Sequence, residues 1–244
     1  MSAPSPVLVV TGGSHGIGAA VARLAAAWGW AVCLSYSRSA AEAEAVADGI
    51  LVAGGRALAV QADAADEEAT ARLFGAAAGL GTVTGVVINA GITGPSTGIA
   101  GLEAAALDQV LAVNVRGAFL CLREAARAMT GGSIVAVSSR ASQLGGAGEW
   151  VHYAASKGWV DTMTLGAAKE LAPQGIRVNA VLPGLIDTAI HAKAGMPDRV
   201  ARMAPSVPLG RAGTAEEVAR VVLWLLSEEA AYVTGALVPV SGGR

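Results

Sequence analysis

Residues 7–18 read VLVVTGGSHGIG, and this stretch decides the fold of the 244-residue chain. A short apolar, β-branched run leads directly into a glycine-rich turn, and the alanine-rich sequence that follows is helical in pattern to about Trp28. A helix that begins at such a turn presents unpaired N–H groups and the positive end of its dipole, which attract an anion such as pyrophosphate. The stretch therefore predicts a strand, an anion-binding turn and a helix.

The same alternation of β-branched runs with Ala/Leu/Glu stretches continues along the chain, which is typical of βαβ units wound onto a parallel sheet. We predict a fold of the α/β class, a single doubly wound parallel-sheet (Rossmann) domain of three layers that spans residues 1–244. Between 185 and 211 the pattern breaks, and we expect a loop-helix flap over the site. The predicted strands are 7–11, 31–35, 57–61, 85–89, 133–137, 177–182 and 237–240, and the helices after the first lie around 42–44 and at 66–78, 108–129 and 153–171.

Composition excludes several function classes. The net charge of −2 and the lack of any Lys/Arg block argue against a nucleic-acid partner. No signal-peptide pattern follows Met1, and no uninterrupted apolar run reaches the length of a membrane span. Cys33 and Cys121 lie in apolar stretches without a CxxC pair, which favours free thiols in a reducing compartment. We expect a cytoplasmic protein.

The glycine turn indicates a dinucleotide. Gly12, Gly16 and Gly18 allow close backbone approach and tight packing of the helix on the strand, and the turn also contains Ser14, His15 and Ile17. Glycines after a strand can also form a mere turn, but their place in the first βαβ unit favours a ligand, because ligands bind at the carboxyl ends of such strands.

The end of the second strand bears on which dinucleotide binds. It lacks the acidic residue that usually recognises a free ribose 2′-hydroxyl, and offers Tyr36, Ser37 and Arg38 instead. A guanidinium and hydroxyls suit a 2′-phosphate, so NADP(H) is favoured, with NAD(H) possible. The alternative is that Arg38 is only a solvated loop charge.

A second motif is the run Tyr153-Ala154-Ala155-Ser156-Lys157. Four positions place the phenol and the ammonium one helical turn apart, and a neighbouring cation is expected to lower the pKa of a phenol towards the working range of an acid/base. Ser139, at the end of the fifth strand, can hydrogen-bond a substrate oxygen. Taken alone, a Tyr-xxx-Lys pair also arises by chance on helix surfaces.

Together these motifs resemble the short-chain dehydrogenase/reductase family, with 3-oxoacyl reductases and glucose dehydrogenases as the nearest types. The resemblance implies NAD(P)(H)-dependent hydride transfer between the nicotinamide and a carbonyl or secondary alcohol, in a homodimer or homotetramer. It covers nearly the whole chain and includes the turn at 11–18, Asn89-Ala90-Gly91, Asn114, Ser139, Tyr153 with Lys157, Pro183-Gly184, Thr234-Gly235 and the closing residues 240–243.

The resemblance also implies roles for individual residues. Tyr153 would donate or accept the proton, Lys157 would hold the nicotinamide ribose, and Ser139 would orient the substrate oxygen. Asn114 would anchor a water-linked proton relay. The remaining residues implied in cofactor binding are Asp63 at the adenine, Asn89, Ala90 and Gly91 along the dinucleotide, and Pro183, Gly184, Ile186 and Thr188 towards the carboxamide end.

One departure from the family concerns spacing. Tyr153 follows Ser139 by 14 positions, one more than the family's usual separation. Glycines at 145, 146 and 148 are expected to absorb the extra residue, and strand alternation should turn Ser138 the other way. The pocket walls should come from Gln143, Leu144, Trp150, Ile186 and His191, which is compatible with a sugar, a small ketone or an acyl chain.

Two alternative functions follow from the same fold. A non-catalytic NADP-binding sensor or scaffold would keep the glycine turn but has no need of Asn114, Ser139, Tyr153 and Lys157. An epimerase or dehydratase with retained NAD usually has a longer chain with a substrate domain. No metal site is expected, because His15, His152 and His191 form no cluster with Cys or carboxylates.

Overall fold

A computed structural model describes residues 6–244 and contains one sheet of seven parallel strands. The strands are β1 Pro6–Val10, β2 Ala31–Tyr36, β3 Arg56–Gln61, β4 Thr82–Ile88, β5 Gly132–Val137, β6 Ile176–Pro183 and β7 Leu237–Val240. Their order across the sheet is β3-β2-β1-β4-β5-β6-β7. The doubly wound parallel sheet predicted from the sequence is confirmed.

Helices connect the strands on both faces of the sheet. The α-helices are α1 Gly16–Ala27, α2 Ala40–Val52, α3 Glu67–Ala78, α4 Ala104–Leu111, α5 Ala118–Ala128, α6 Ala141–Leu144, α7 Val151–Leu171, α8 Ile190–Lys193, α9 Arg199–Met203 and α10 Ala215–Leu226. A π-helical segment, Ala112–Gly117, joins α4 to α5, so residues 104–128 form one continuous helix.

The strand sequences explain the three layers. Successive side chains of a strand point to opposite faces, and on β1 Val7 and Val9 join one buried cluster while Leu8 and Val10 join the other. The first cluster includes residues of α3, α5 and α7, and the second includes residues of α1, α2 and α10. Strands buried on both faces require continuous apolar runs, which is the pattern that the sequence shows.

Some predicted boundaries were wrong. β4 begins at Thr82, three residues before the predicted start, and the long central helix begins at Ala104 rather than at Asp108. The sequence prediction also omitted α10. Its start carries a capping box, in which the Thr214 hydroxyl accepts from the Glu217 N–H and the Glu217 carboxylate accepts from the Thr214 N–H.

The continuous helix of residues 104–128 is long and apolar enough, by length and composition alone, to cross a membrane. The sequence prediction considered only uninterrupted apolar runs and did not identify it. Its apolar side chains have another explanation, because Leu120, Cys121 and Ala125 are buried in the core of this domain. The core helix of a globular fold meets the same criteria.

The order of the strands positions the site. The chain winds outward in both directions from β1 and β4, and ligands of such sheets bind beyond the carboxyl ends of strands at this switch point. The flap expected at 185–211 consists of the short helices α8 and α9 with connecting turns. Main-chain hydrogen bonds of Leu185 and Asp187 with Gly213 join the beginning of this segment to the residues just after its end.

Candidate active site

A cleft of about 1090 Å³ runs along the carboxyl edge of the sheet. It extends from Arg38 and Asp63 at one end, past the glycine turn, to Tyr153 and the flap at the other. All the predicted site residues line it except Gly18 and Asn114, and those that do are Gly12, Ser14, His15, Gly16, Ile17, Tyr36, Ser37, Arg38, Asp63, Asn89, Ala90, Gly91, Ser139, Tyr153, Lys157, Pro183, Gly184, Ile186 and Thr188.

The glycine turn is shaped by close backbone contacts. Gly12 has φ +64° and Gly16 has φ +51°, a region that favours glycine. A Cβ atom on Gly18 would lie 2.4 Å from the Gly12 carbonyl oxygen. Gly18 therefore packs α1 against the back of the turn, as predicted; it does not line the cleft, and its part in cofactor binding stays a prediction. The sequence prediction also missed Gly13, where a Cβ would lie 2.6 Å from the Cβ of Leu34.

Thr11 and Asn89 join the turn to the end of β4. The Thr11 hydroxyl accepts hydrogen bonds from the N–H groups of Asn89 at 2.9 Å and Ala90 at 3.1 Å. The Asn89 amide in turn donates to the carbonyl oxygens of Thr11 and Gly12, each at 2.9 Å. These bonds fix the turn relative to the floor of the cleft.

The end of the cleft near β2 and β3 combines one cation with one carboxylate. Ser37 donates to Asp63 at 3.1 Å, and the other oxygen of Asp63 accepts from the Ala65 N–H at 2.9 Å. Arg38 is exposed, and none of the ion pairs within residues 6–244 involves it. Its guanidinium therefore keeps its donors available for an anion at this end.

The other end of the cleft holds Ser139, Tyr153 and Lys157. The Lys157 ammonium is buried, donates to the Val137 carbonyl oxygen at 2.8 Å, and lies 5.8 Å from the centre of the Tyr153 ring. The Ser139 hydroxyl accepts from the Ala141 N–H at 3.1 Å, which fixes its position at the start of the loop after β5. The predicted convergence of these three side chains is present.

The ionisation of this group differs from the sequence prediction. Burial raises the pKa of Tyr153, and the hydrogen bond with Ser139 acts in the opposite direction. Burial also lowers the pKa of Lys157 to about 8, against the raising effect of Asp161. The pKa of Tyr153 is therefore raised rather than lowered as the sequence prediction expected, because burial has the largest effect.

Asn114 lies behind the cleft wall, within the π-helical segment. Its side-chain oxygen accepts from the Ile92 N–H, and its amide donates to the Ile92 carbonyl and the Ser156 hydroxyl, at 2.8, 2.8 and 2.9 Å. These bonds hold the loop after β4 against α7. A Cβ on Gly91 would lie 3.3 Å from both Asn114 Oδ1 and Lys157 Nζ. The water-linked relay stays a prediction.

The loop between Ser139 and Tyr153 contains the three glycines that were expected to absorb its additional residue. Gly145, Gly146 and Gly148 all have positive φ, at +81°, +62° and +77°. The hydroxyls of Ser138 and Ser139 point to different partners, and Ser138 donates to Asp161 at 2.5 Å. The sequence prediction did not single out Asp161, although its four-residue spacing from Lys157 places it on the same helical face.

The pocket walls are largely those expected from the sequence. Leu144, Trp150, Ile186 and His191 line the cleft, whereas the Gln143 side chain pairs with Arg140 and does not. His152 is buried with its Nε2 3.0 Å from the Thr93 carbonyl, as expected of a packing residue. The prediction missed Arg199, which is buried beside Glu149 and lines the flap side.

The residues present fit a nicotinamide dinucleotide. A glycine turn at a helix N-terminus offers N–H groups for a pyrophosphate at the middle of the cleft. Side chains at Gly12 or Gly91 would press on Ala90 or on Lys157, so the absence of Cβ atoms keeps this floor open. Among residues 6–244, no group of three or more His, Cys, Asp or Glu side chains is arranged to hold a metal ion.

Comparison with known proteins gives one consistent family. Residues 12–244 match the family model described as enoyl-(acyl carrier protein) reductase. The uncharacterized oxidoreductase YgfF of Escherichia coli is 45% identical, over 98% of this chain and 99% of its own. A cis-4-hydroxycyclohexanecarboxylate dehydrogenase of Sinomonas cyclohexanicum is 42% identical, over 97% and 95%.

Two further comparisons agree. An L-rhamnose 1-dehydrogenase (NAD(P)(+)) of Azotobacter vinelandii is 39% identical, over 97% of this chain and 95% of its own. The solved structure of a Serratia marcescens short-chain dehydrogenase/reductase mutant superposes with a TM-score of 0.90 at 38% identity, and covers 99% of this chain and 98% of that one.

Proposed function

The chain belongs to the short-chain dehydrogenase/reductase family, and we propose that Tyr153 is the acid/base of its reaction. The chain is an NAD(P)-dependent oxidoreductase that acts on alcohol or carbonyl groups, as the dehydrogenases among its relatives do. The proposal concerns which residues perform the reaction, which cofactor is preferred and what assembly the chain forms. Convergence of Ser139, Tyr153 and Lys157 at one end of the cleft carries it.

Tyr153 supplies the proton when a carbonyl is reduced. When bound, the nicotinamide supplies or accepts the hydride at the same carbon. Because burial raises the pKa of Tyr153, the phenol is protonated at neutral pH and is ready to donate to an oxygen that gains negative charge. Alcohol oxidation needs the phenolate, so this direction should become faster as the pH rises.

Ser139 and Lys157 support this step in different ways. The Ser139 hydroxyl interacts with the Tyr153 phenol and can also hydrogen-bond the substrate oxygen, which stabilises charge in the transition state. The ammonium of Lys157 is held one helical turn from Tyr153 and would bind the ribose next to the nicotinamide. Asn114 fixes the loop beneath them and would anchor the proton relay.

NADP(H) is the preferred cofactor in this proposal. Arg38 is exposed at the end of the cleft where an adenine ribose would bind, and no carboxylate within residues 6–244 pairs with it. A guanidinium forms charge-assisted bonds to a phosphate, and an acidic residue that would select the 2′-hydroxyl of NAD is absent from the end of β2. Asp63 would contact the adenine.

A homo-oligomer is part of the proposal. Phe119 of α5 and Trp159 of α7 stack edge to face with centroids 6.4 Å apart, although 49% and 36% of their surfaces are exposed. Such an exposed aromatic pair on the surface of α5 and α7 supports a dimer or tetramer. The buried free thiols of Cys33 and Cys121 are compatible with a cytoplasmic location.

A Tyr153→Phe variant tests the catalytic proposal. We expect turnover of alcohols and ketones to fall by at least about 100-fold, because the proton donor is lost. NADPH binding, followed by the change in nicotinamide fluorescence, should stay within a few-fold of the wild type. A variant that binds NADPH and retains full turnover would contradict the assignment of Tyr153. A wild type that binds NADPH but turns over none of these compounds would favour the non-catalytic alternative.

A further inference from the structure

Three buried polar atoms of residues that line the flap side of the cleft have no hydrogen-bond partner in the described part of the chain. They are Trp150 Nε1, His191 Nδ1 and Arg199 Nε. Trp150 is 6% exposed and Arg199 is 7% exposed, and all three residues line the cleft. Folded proteins pair nearly all buried polar atoms, so three unpaired ones at one place indicate a ligand that completes them.

These atoms lie where the flap meets the loop before α7. Arg199 of α9 donates from Nη1 to Glu149 at 2.5 Å, and its guanidinium carbon lies 4.4 Å from the centre of the Trp150 ring. We call Glu149, Trp150, His191 and Arg199 the flap seam. The ion pair of Arg199 with Glu149 holds the seam together, whereas Nε of Arg199 has no hydrogen-bond partner among residues 6–244. Because the three atoms are shielded from solvent in this structure, contact with a ligand requires the flap to move.

The polarity of each atom follows from its neighbours. His191 Nε2 lies 3.0 Å from the Ile186 carbonyl oxygen, which can only accept, so Nε2 carries the hydrogen. Burial and the charge of Arg199 lower the pKa of His191, against the raising effects of the Ile186 hydrogen bond and of Asp187, so the ring is neutral with Nδ1 as an acceptor. Trp150 Nε1 and Arg199 Nε are donors. The seam thus offers two donors and one acceptor.

This combination selects among substrate classes. A hydroxyl both donates and accepts, so hydroxyl groups can complete all three atoms. A carboxylate only accepts and would face the lone pair of His191, and Glu149 already neutralises the charge of Arg199. An acyl chain would complete none of them.

We infer that the substrate is a neutral polyhydroxylated molecule of the sugar or cyclic polyol class, whose non-reacting hydroxyls bind at the flap seam. This inference rests on the proposed oxidoreductase function and specifies its substrate. The reacting carbon would lie at Tyr153, while the hydroxyls on the far side of the molecule would contact Trp150, His191 and Arg199.

The test compares four kinds of alcohol as substrates, each with NADP+ and with NAD+. L-rhamnose and D-glucose represent sugars, cyclohexanol a bare alcohol, cis-4-hydroxycyclohexanecarboxylate an acid and 3-hydroxybutyryl thioester an acyl chain. We expect kcat/KM to be highest for a sugar. Trp150→Phe removes the indole N–H together with the second ring, keeps one aromatic ring beneath Arg199, and should lower the ratio of sugar to cyclohexanol kcat/KM about tenfold.

Two further variants make the result decisive. Trp28→Phe makes the same change at an exposed tryptophan at the end of α1, outside the cleft, and should leave the ratio unchanged. If Trp150→Phe does not fold, His191→Phe in the short helix α8 replaces it as the test. This variant removes the acceptor and should also lower the ratio. Preference for the acid or the thioester, or equal effects of the two tryptophan variants, would overturn the inferred substrate class and leave the proposed function intact. Failure of the wild type to oxidise any of these alcohols would defeat the proposed function as well.

Discussion

The ammonium of Lys157 donates a hydrogen bond of 2.8 Å to the main-chain oxygen of Val137, at the carboxyl end of β5. This bond ties α7 to the sheet at the level of the cleft and holds the charge one helical turn from Tyr153. It also keeps a cation in a site where burial lowers its pKa to about 8. The proposed active site is therefore built on a charge that weakens the fold.

The Lys157→Met variant tests this conflict between stability and activity. A lysine whose pKa falls from 10.5 to about 8 on folding destabilises the protein below pH 8, and the penalty disappears as the pH rises from 8 to 10.5. We expect the variant to be more stable than the wild type at pH 7, by up to about 3 kcal/mol, and the gain to shrink at pH 10. Urea unfolding at both pH values measures it.

Activity should move in the opposite direction. Turnover of Lys157→Met should fall by at least about 100-fold, since the charge near Tyr153 and the proposed ribose contact are both lost. Lys169→Met, an exposed lysine near the end of the same helix, should change neither quantity. A Lys157→Met variant that is less stable at pH 7 than at pH 10, relative to the wild type, would contradict the account.

Ser139→Ala should shift the pH dependence of alcohol oxidation. The hydrogen bond from Ser139 lowers the pKa of Tyr153, so its removal raises this pKa and the rising limb of the oxidation profile moves to higher pH. We also expect kcat to fall by about 100-fold, from the loss of a transition-state contact. Kinetics between pH 6 and pH 10.5 measure both effects.

Ser142→Ala is the matched control for this variant. Ser142 lies in the same loop, and its hydroxyl donates to the Ser139 carbonyl at 2.8 Å rather than to Tyr153. Its pH profile should follow that of the wild type. An unchanged midpoint in Ser139→Ala, or a shift to lower pH, would show that Ser139 does not act on the phenol.

Much of this fold could be predicted from the sequence, since its causes are local. Continuous apolar runs gave the buried strands, and β7 matches its predicted bounds of 237–240. The glycine turn could be predicted because the positive φ values of Gly12 and Gly16 require glycine in the sequence. α10 could also have been predicted from the capping box of Thr214 and Glu217 at its start. It was missed because it follows a Pro- and Gly-rich segment that was interpreted as a loop.

The rest depends on contacts between distant parts of the chain. Nothing in the sequence shows that Lys157 reaches Val137, or that Asn114 pairs with Ile92 from a π-helical segment. The direction in which the pKa of Tyr153 shifts also depends on burial of the phenol, which the spacing of Tyr153 and Lys157 does not reveal. Arg199 was overlooked because its partners lie 49 and 50 positions away, at Trp150 and Glu149.

Gly18→Ala tests the packing behind the glycine turn. The new Cβ would lie 2.4 Å from the Gly12 oxygen and 2.6 Å from the Asn89 amide nitrogen, so the turn must shift. We expect a loss of stability of about 1–3 kcal/mol and much weaker NADPH binding. Gly75→Ala, in the exposed face of α3 with open space around it, should gain about 0.5–1 kcal/mol. Calorimetry measures the stability of both variants, and titration measures their affinity for NADPH. Tight NADPH binding by Gly18→Ala would contradict this account of the turn.

Arg38→Ala tests the choice of cofactor. If the guanidinium binds the 2′-phosphate through charge-assisted bonds, its removal should lower kcat/KM for NADP+ by roughly 10- to 100-fold. The value for NAD+ should change less than about threefold, because NAD+ has no phosphate at this position. Arg72→Ala removes an exposed arginine of α3 and should alter neither value. A wild type that prefers NAD+, or an Arg38→Ala variant whose values for both cofactors match the wild type, would mean that Arg38 is a solvated surface charge and that the cofactor is selected elsewhere. An equal loss of both activities would also contradict a contact with the 2′-phosphate.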